Sequence, residues 1–156
     1  MRFMFFDRVL ELAVGERILA TKAITLDGDY FTAHFRGRPV MPATLIVEAI
    51  AQTAGWLNFL SNGESIRMVV ALVENVVIHR QVLPGETLEL EARMVFRHRE
   101  GATMEGEARS GGETVATVER IVFANQEVDR ALFSPREIEH YNYVKAGARI
   151  DEAMKP

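Results

Sequence analysis

The sequence predicts an α+β protein in which a strongly curved antiparallel sheet of about six strands wraps around one long buried helix. Three observations predict this fold class. Residues 43–60 hold helix formers without proline and are apolar on nearly every face, which is typical of a buried helix. The segments on either side alternate apolar and polar residues, as half-buried strands do. Glycine-containing turns join these segments, and strands joined by tight turns run antiparallel.

Two strands precede the long helix. Residues 5–12 interleave β-favouring side chains with charged ones, and residues 17–26 repeat the pattern with clearer alternation. Gly15 lies between them, so a hairpin is the simplest connection. Pro39 and Pro42 forbid a continuous helix through the loop that follows, and Pro42 suits the first turn of the long helix.

Four more strands are predicted after the helix, at residues 68–78, 88–97, 102–109 and 114–124. The first is a near-continuous apolar run, which predicts a central strand covered on both faces. The second alternates apolar residues with charged ones, so one of its faces meets water.

The C-terminal residues have a different pattern. The run Ser-Pro-Arg-Glu at 134–137 is a capping box with proline at the first helical position, so a short helix is expected through about Ala146, stopped by Gly147. A length of 156 residues suits one domain. We therefore expect a domain over 1–124 and a helical extension over 125–156, either a packing element or a surface for partner recognition.

Composition excludes several classes of protein. The apolar share of 48% and charged share of 26% are those of an ordinary globular domain, and zero cysteines exclude disulfides and thiolate chemistry. The net charge of -4 argues against general nucleic-acid binding. No apolar run approaches the roughly 20 residues of a membrane span, and Asp7 interrupts the start where a signal peptide would stay apolar. A cytoplasmic protein without membrane association is expected.

One histidine and one carboxylate stand out around the start of the helix. His34 lies in a loop rich in glycine, proline and arginine, and Glu48 follows on the second or third helical turn. Desolvation would favour the neutral form of a buried carboxyl group, and a neutral acid beside a histidine can work as an acid and base pair. The alternative is a structural carboxylate paired with Gln52, one turn further on. The residues alone leave both readings open.

The start of the helix adds a third group. Pro42 opens the helix, so the free amides of Ala43 and Thr44 and the positive end of the helix dipole point back toward the loop of His34. Such amides can stabilise negative charge that develops on a carbonyl oxygen. Together with His34 and Glu48 they suit abstraction of a proton alpha to a carbonyl, followed by loss of a beta leaving group.

The spacing of these residues resembles a known family. The run HFxGxPVMP at 34–42, followed by EAxAQ at 48–52, is similar to the signature of the beta-hydroxyacyl-acyl-carrier-protein dehydratases, which have the hot-dog fold. DRV at 7–9 and RxVxPG at 80–85 also match. The similarity covers about residues 3–124.

This resemblance implies syn dehydration of a 3-hydroxyacyl thioester carried on phosphopantetheine. His34 would remove the C2 proton while its other ring nitrogen is held by the backbone carbonyl of Val40. Glu48 would protonate or hydrogen-bond the departing hydroxyl, oriented by Gln52, and the amide of Ala43 would bind the thioester oxygen. No metal or organic cofactor is implied. Family members are homodimers whose sheets join edge to edge, with the histidine of one subunit meeting the acid of the other.

The sequence departs from the family pattern at three positions. Ala43 replaces the usual glycine, Arg36 stands where many members have proline, and Thr44 is polar. These differences and the C-terminal extension predict a specialised acyl chain. Glu48 stands where the isomerising branch carries aspartate, so dehydration without isomerisation is expected.

The expected partner is an acyl carrier protein, in fatty-acid, lipid or polyene biosynthesis. Its acidic surface would meet arginines around the site, although these could be merely solvated: Arg36, Arg38 and Arg80. Two other functions remain open, a hot-dog acyl thioesterase and a non-catalytic acyl-binding module. The other histidines lack metal-ligand spacing and are expected in surface or packing roles: His79, His98 and His140.

Overall fold

The computed structural model describes residues 4–35, 37–147 and 149–150. It confirms the α+β hot-dog fold, in which six antiparallel strands wrap around one long helix. The elements in chain order are β1 Arg8–Ala13, β2 Arg17–Ala23, α1 Ala43–Ser61, β3 Ile66–Ile78, β4 Thr87–His98, β5 Gly101–Ser110, β6 Glu113–Glu127, α2 Pro135–Ala146 and β7 Arg149–Ile150. No helix in this described part of the chain has the length and hydropathy needed to cross a membrane.

The strands form a single sheet in the order β3-β6-β5-β4-β2-β1-β7. The first six pair antiparallel. Tight turns join β1 to β2, β4 to β5 and β5 to β6, as the sequence predicts, whereas β2–β4 and β3–β6 are pairs of strands distant in the chain. The two-residue β7 pairs parallel with β1. Strand β7 was not predicted, because two residues show no periodicity.

Helix α1 fills the concave side of the sheet, as its apolar composition predicts. Pro42 is its N-cap residue, and the helix ends at Ser61, just before Gly63 at φ +63°. Most of the helix surface is buried; the buried residues are Ile46, Ala49, Ile50, Ala51, Thr53, Ala54, Gly55, Leu57, Asn58 and Phe59. Glu48 and Gln52 are half-buried.

The prediction that residues 68–78 form a central strand is wrong for the single chain. Strand β3 lies at the edge of the sheet, paired only with β6 within the described residues. Its outer side chains are exposed although apolar, with 66% of Val69 and 48% of Val77 accessible. The backbone groups along the outer edge of such a strand can pair with another strand. The continuous apolar pattern is typical of a strand covered on both faces, whereas the single chain leaves this one exposed.

The second strand ends three residues earlier than the expected position 26. Ile24 leaves the ladder and pairs with the turn before β4, since its amide donates to the Glu86 carbonyl at 2.9 Å and its carbonyl accepts from Gly85 at 2.7 Å. The alternation of apolar and polar residues continues past Ala23 because Ile24 is still buried. The backbone of Ile24, however, bonds to a turn and not to a strand.

The predicted C-terminal helix is confirmed as α2. Ser134 and Glu137 form the capping box in both directions, Pro135 occupies the first turn, and Gly147 is the C-cap. The helix packs on β1 and on the far half of α1, where Tyr141 contacts Trp56 with ring centroids 5.3 Å apart.

Two glycines beside α1 are expected to respond oppositely to alanine. A Cβ on Gly55 would lie 3.5 Å from Met68 Cε and Phe123 Cε1, which is ordinary contact. Gly55→Ala should therefore stabilise the fold by about 0.5–1 kcal/mol, since alanine has less chain entropy to lose in a helix. A Cβ on Gly106 would lie 2.5 Å from Ile50 Cγ2 and 3.0 Å from a backbone oxygen. Gly106→Ala should destabilise by about 1–3 kcal/mol.

Thermal unfolding of both variants tests this pair. We expect the melting temperature to rise by about 2–4 °C for Gly55→Ala and to fall for Gly106→Ala. A fall in the melting temperature of Gly55→Ala would mean that Met68 lies closer to the added methyl group than 3.5 Å.

Candidate active site

The loop before α1 is closed by its own backbone. His34 and Val40 lie opposite each other, with the Val40 amide donating to the His34 carbonyl at 3.1 Å. Inside this pair, Phe35 and Arg38 exchange amide-to-carbonyl bonds of 3.3 and 3.1 Å. Gly37 adopts φ +80° in this turn, a conformation that glycine reaches without strain. The His34–Phe35 peptide bond is cis. The three backbone hydrogen bonds of the loop hold the backbone of His34 in place.

The imidazole of His34 is oriented by the same loop. Its Nδ1 lies 3.0 Å from the carbonyl oxygen of Val40. A carbonyl oxygen only accepts, so Nδ1 carries the proton in the neutral ring and Nε2 presents a lone pair. The ring is half-buried. His34 is therefore arranged to accept a proton at Nε2.

A second contact attaches the loop to the sheet. The amide of Met41 donates to the carbonyl of Val82 at 2.9 Å. Val40, Met41 and Val82 are all buried, so this bond lies in the core. Val82 was not predicted to hold the loop, although it belongs to the RxVxPG run that matches the family pattern.

Glu48 and Gln52 lie one turn apart on α1 and are bonded to each other. Gln52 Nε2 donates to Glu48 Oε1 at 2.8 Å, and Gln52 Oε1 accepts from the amide of Phe5 at 2.8 Å. The second bond sets which end of the amide faces Glu48. Glu48 is half-buried in the single chain, not enclosed. The sequence did not indicate the contact with Phe5, since the two residues are far apart in the chain.

The first amides of α1 have no acceptor in the described chain. Leu45 and Ile46 both donate to the Pro42 carbonyl, but no bond from Ala43 or Thr44 is present among these residues. Pro42 makes no side-chain cap and the first turn holds no acidic residue. Ala43 and Thr44 are exposed, so their amides are available to an anionic oxygen.

One chain does not bring the two candidate side chains into contact. Within its described residues, His34 and Glu48 share no hydrogen bond or ion pair. His34 bonds to Val40 and Glu48 bonds to Gln52. Each is thus oriented separately by its own neighbour.

The arginines near the loop differ in their surroundings. Arg80 Nη2 lies 2.8 Å from Glu86 and Arg80 Nε lies 3.2 Å from Glu113, so its charge is balanced. The hydrogen bond from Arg80 holds the pKa of the Glu86 carboxyl below its usual value. Arg38 is exposed and donates to the neutral side chain of Gln81 at 3.0 Å. Arg36 lies outside the described residues.

A groove runs beside this loop and the turn before β4. Its volume is about 560 Å³, and Arg38, Arg80 and Pro84 are among its lining residues.

The remaining histidines lie elsewhere: His79 and His98 are exposed, and His140 packs on Trp56. The described residues contain no cluster of three or more histidine or acidic side chains that could hold a metal ion.

The hot-dog fold thus holds an oriented histidine before its central helix and an oriented carboxylate on that helix, which are the two groups that acid–base chemistry requires. The chain belongs to the FabA-like domain family, whose model matches residues 1–119. It is 34% identical over 132 residues to a 3-hydroxyacyl-[acyl-carrier-protein] dehydratase FabZ of Legionella pneumophila, covering 82% of this chain and 87% of that protein. It is 40% identical over 121 residues to the dehydratase of the same name from Aromatoleum aromaticum, covering 75% and 83%.

A solved structure supports the fold independently. The dehydratase heterocomplex ApeI:P from Xenorhabdus doucetiae matches with a TM-score of 0.67 over 90% of each chain, at 14% sequence identity. At that identity the match shows the fold alone.

Proposed function

We propose that this protein dehydrates 3-hydroxyacyl thioesters, carried by an acyl carrier protein, to trans-2-enoyl thioesters in fatty-acid, lipid or polyene biosynthesis. The observation that carries the proposal is the orientation of His34 by Val40, which leaves Nε2 as the free base. Membership of the FabA-like family and identities of 34–40% to 3-hydroxyacyl-[acyl-carrier-protein] dehydratases support it. The cytoplasmic location expected from the sequence belongs to the same proposal.

The chemistry assigns one task to each group. His34 Nε2 takes the proton from C2, the C2–H electron pair becomes the C2=C3 double bond, and the C3–O bond breaks. Glu48 gives its proton to the departing hydroxyl, which leaves as water. The amide of Ala43 binds the thioester oxygen while negative charge develops there. Transfer of the proton from His34 back to Glu48 restores the starting state, so no external reactant is consumed.

Val40 and Gln52 act as positioning residues in this scheme. The Val40 carbonyl keeps the His34 ring in the tautomer with a basic Nε2. Gln52 holds Glu48 Oε1, and the Phe5 amide in turn holds Gln52. Groups fixed before the substrate binds lose little freedom in the transition state, which is how positioning contributes to rate.

The proposal includes a homodimer with shared sites. The outer edge of the apolar strand β3 pairs with no other strand among the described residues, so it can pair with the same strand of a second copy. His34 and Glu48 are not bonded to each other in one described chain, which agrees with sites built from two subunits. The acyl carrier protein would approach the groove at Arg38, whose charge has no acidic partner among the described residues, whereas Arg80 is balanced by two glutamates.

Product analysis tests the function. The purified protein is incubated with 3-hydroxyacyl thioesters of a carrier protein over a series of chain lengths. An absorbance gain from the conjugated enoyl thioester is expected. Release of free acid and thiol would instead identify a thioesterase. Binding of acylated carrier without dehydration or hydration of any chain would identify a binding module.

Mixing two inactive variants tests the shared site. His34→Ala and Glu48→Ala each destroy both sites of their own dimer, but a hybrid dimer keeps one site with both residues intact. After equal amounts exchange subunits freely, activity should return to about a quarter of the wild-type value, because half of the dimers are hybrid. Subunit exchange is verified by mass measurement of tagged copies. Exchange without recovery would refute the shared site.

A further inference from the structure

Glu48, Gln52 and Trp56 lie in one row along α1, because residues four apart fall on the same side of a helix. Glu48 and Gln52 are joined by the side-chain hydrogen bond of 2.8 Å. Trp56 lies one turn further toward the end of the helix and is half-buried. The proposed reaction scheme gives Trp56 no task.

The segment before β1 contacts this row at two successive positions. The Phe5 amide donates to Gln52 Oε1 at 2.8 Å, and the Phe6 ring meets the Trp56 ring edge-on with centroids 6.1 Å apart. Phe5 and Phe6 are only 3% and 2% exposed, so both rings are anchored in the core. Gln52 and Trp56 are thus in contact with the same two adjacent residues.

Trp56 is also held by the C-terminal extension. The rings of Tyr141 and His140 on α2 lie 5.3 and 5.6 Å from the Trp56 ring, centroid to centroid. Tyr141 packs in turn on Phe59 at 4.6 Å and on Phe133 at 5.5 Å. Trp56 therefore joins α2 to the segment before β1.

The extension itself is fixed to two other parts of the domain. Glu64, in the turn after α1, is only 8% exposed and is paired with Arg130 at 2.6 Å and with Lys145. At the end of α2, a Cβ on Gly147 would lie 2.7 Å from Arg8 Cγ, so the backbone of Gly147 packs closely on β1. These contacts give α2 a defined position from which to hold Trp56.

The residues of α2 lie outside the part of the chain that the family model matches. That match covers residues 1–119 and ends within β6. Glu48, Gln52 and Trp56 lie inside it, whereas His140 and Tyr141 lie beyond it. The contacts of α2 with Trp56 are therefore a contribution from outside the matched domain.

We propose that α2 positions the acid Glu48. Its contact with Trp56 fixes the segment before β1, and the Phe5 amide of that segment fixes Gln52. The inference rests on the proposed dehydratase function. Gln52 bonds through both ends of its side-chain amide, so a displaced Phe5 amide lets that group turn and release Glu48 Oε1. A carboxyl group that has lost its orientation must be ordered in the transition state, which lowers kcat more than it raises KM.

Amide hydrogen exchange, followed by NMR on the full-length protein, tests the contact without substrate. Tyr141→Ala removes the ring that meets Trp56, Tyr141→Phe keeps it, and Tyr143→Ala removes an exposed ring of the same helix. Tyr141→Ala should speed exchange of the Phe5 amide by about tenfold relative to the Met41 amide, which is bonded in the core. Tyr141→Phe and Tyr143→Ala should leave this ratio unchanged. Equal acceleration of both amides by Tyr141→Ala, or of neither, would overturn the inference.

Glu64→Gln is a milder second variant. It removes the charge that pairs with Arg130 and Lys145 and keeps every aromatic ring. Exchange of the Phe5 amide should again speed up relative to the Met41 amide. A global loss of stability would speed both amides together and would contradict a local link.

Steady-state kinetics tests the consequence for the acid. Tyr141→Ala should lower kcat for 3-hydroxyacyl thioesters by about 3- to 10-fold with KM within about twofold. The loss is partial because Asp7 also holds the segment, accepting from the Ala23 amide at 2.7 Å. An effect that passes through Gln52 should shrink to less than about twofold when Tyr141→Ala is added to Gln52→Ala. Equal factors in the two backgrounds would refute the link through Gln52.

These outcomes distinguish the inference from the function on which it rests. Dehydration by the wild type with an unchanged kcat in Tyr141→Ala would leave the dehydratase intact and refute the positioning role. Faster exchange of the Phe5 amide in a protein that dehydrates no substrate would support the contact from α2 to Phe5 and refute the dehydratase.

Discussion

Replacing His34 by alanine is expected to lower kcat/KM for 3-hydroxyacyl thioesters by about 10²- to 10⁴-fold, the range typical of losing a positioned general base. The imidazole held by Val40 is the group assigned to the C2 proton. Water entering the vacated space would be an unoriented and weaker base. The rate of absorbance gain from the conjugated enoyl thioester measures the loss.

The fold should survive this substitution. The backbone bond from Val40 to the His34 carbonyl does not involve the imidazole, so the loop keeps its closure. His98→Ala is the matched control, because that ring is exposed on β4, and its turnover should stay within about twofold of wild type. If His34→Ala retained a third or more of wild-type kcat/KM with an unchanged melting temperature, His34 would not be the base.

Glu48→Gln is expected to lower kcat by about 10²-fold or more, with a melting temperature close to that of the wild type. Glutamine has the same shape, and its side-chain oxygen can still accept the bond from Gln52 Nε2. It has no acidic proton to give to the departing hydroxyl, so the chemical step suffers more than binding. Separate measurement of kcat and KM checks this split.

Glu139→Gln is the control for the change of charge. Glu139 is exposed on α2, and its replacement should leave both constants unchanged. An effect of Glu48→Gln on KM alone would contradict the assigned role and make Glu48 a binding group.

The helices were the most predictable elements, because their signals are local. The apolar composition of residues 43–60 and the capping box at Ser134 and Glu137 lie within a few turns of the structure they determine, and both predictions are confirmed. Strand positions were also predicted, but their ends depend on what each strand meets. Ile24 shows this, since a turn far along the chain replaces its ladder partner.

The position of β3 in the sheet could not be predicted from its own residues. A near-continuous apolar run indicates a strand covered on both faces, but it does not say which molecule covers it. In the single chain β3 is an edge strand. The proposed edge-to-edge dimer would make it central.

The candidate site was predicted in its parts. The resemblance implied that Val40 holds His34 and that Gln52 orients Glu48, and both hydrogen bonds are present in the structure. The catalytic roles of these residues stay predictions until the variants are measured.

The sequence by itself determined the fold class, the loop with its histidine, and the helix with its acid, because each depends on neighbours along the chain. Only the tertiary structure decided that Phe5 sets the orientation of Gln52, that Val82 holds the loop at Met41, and that the extension packs on Trp56. These contacts join residues distant in the chain. Periodicity and spacing describe one segment at a time, so they carry no information about which segments meet.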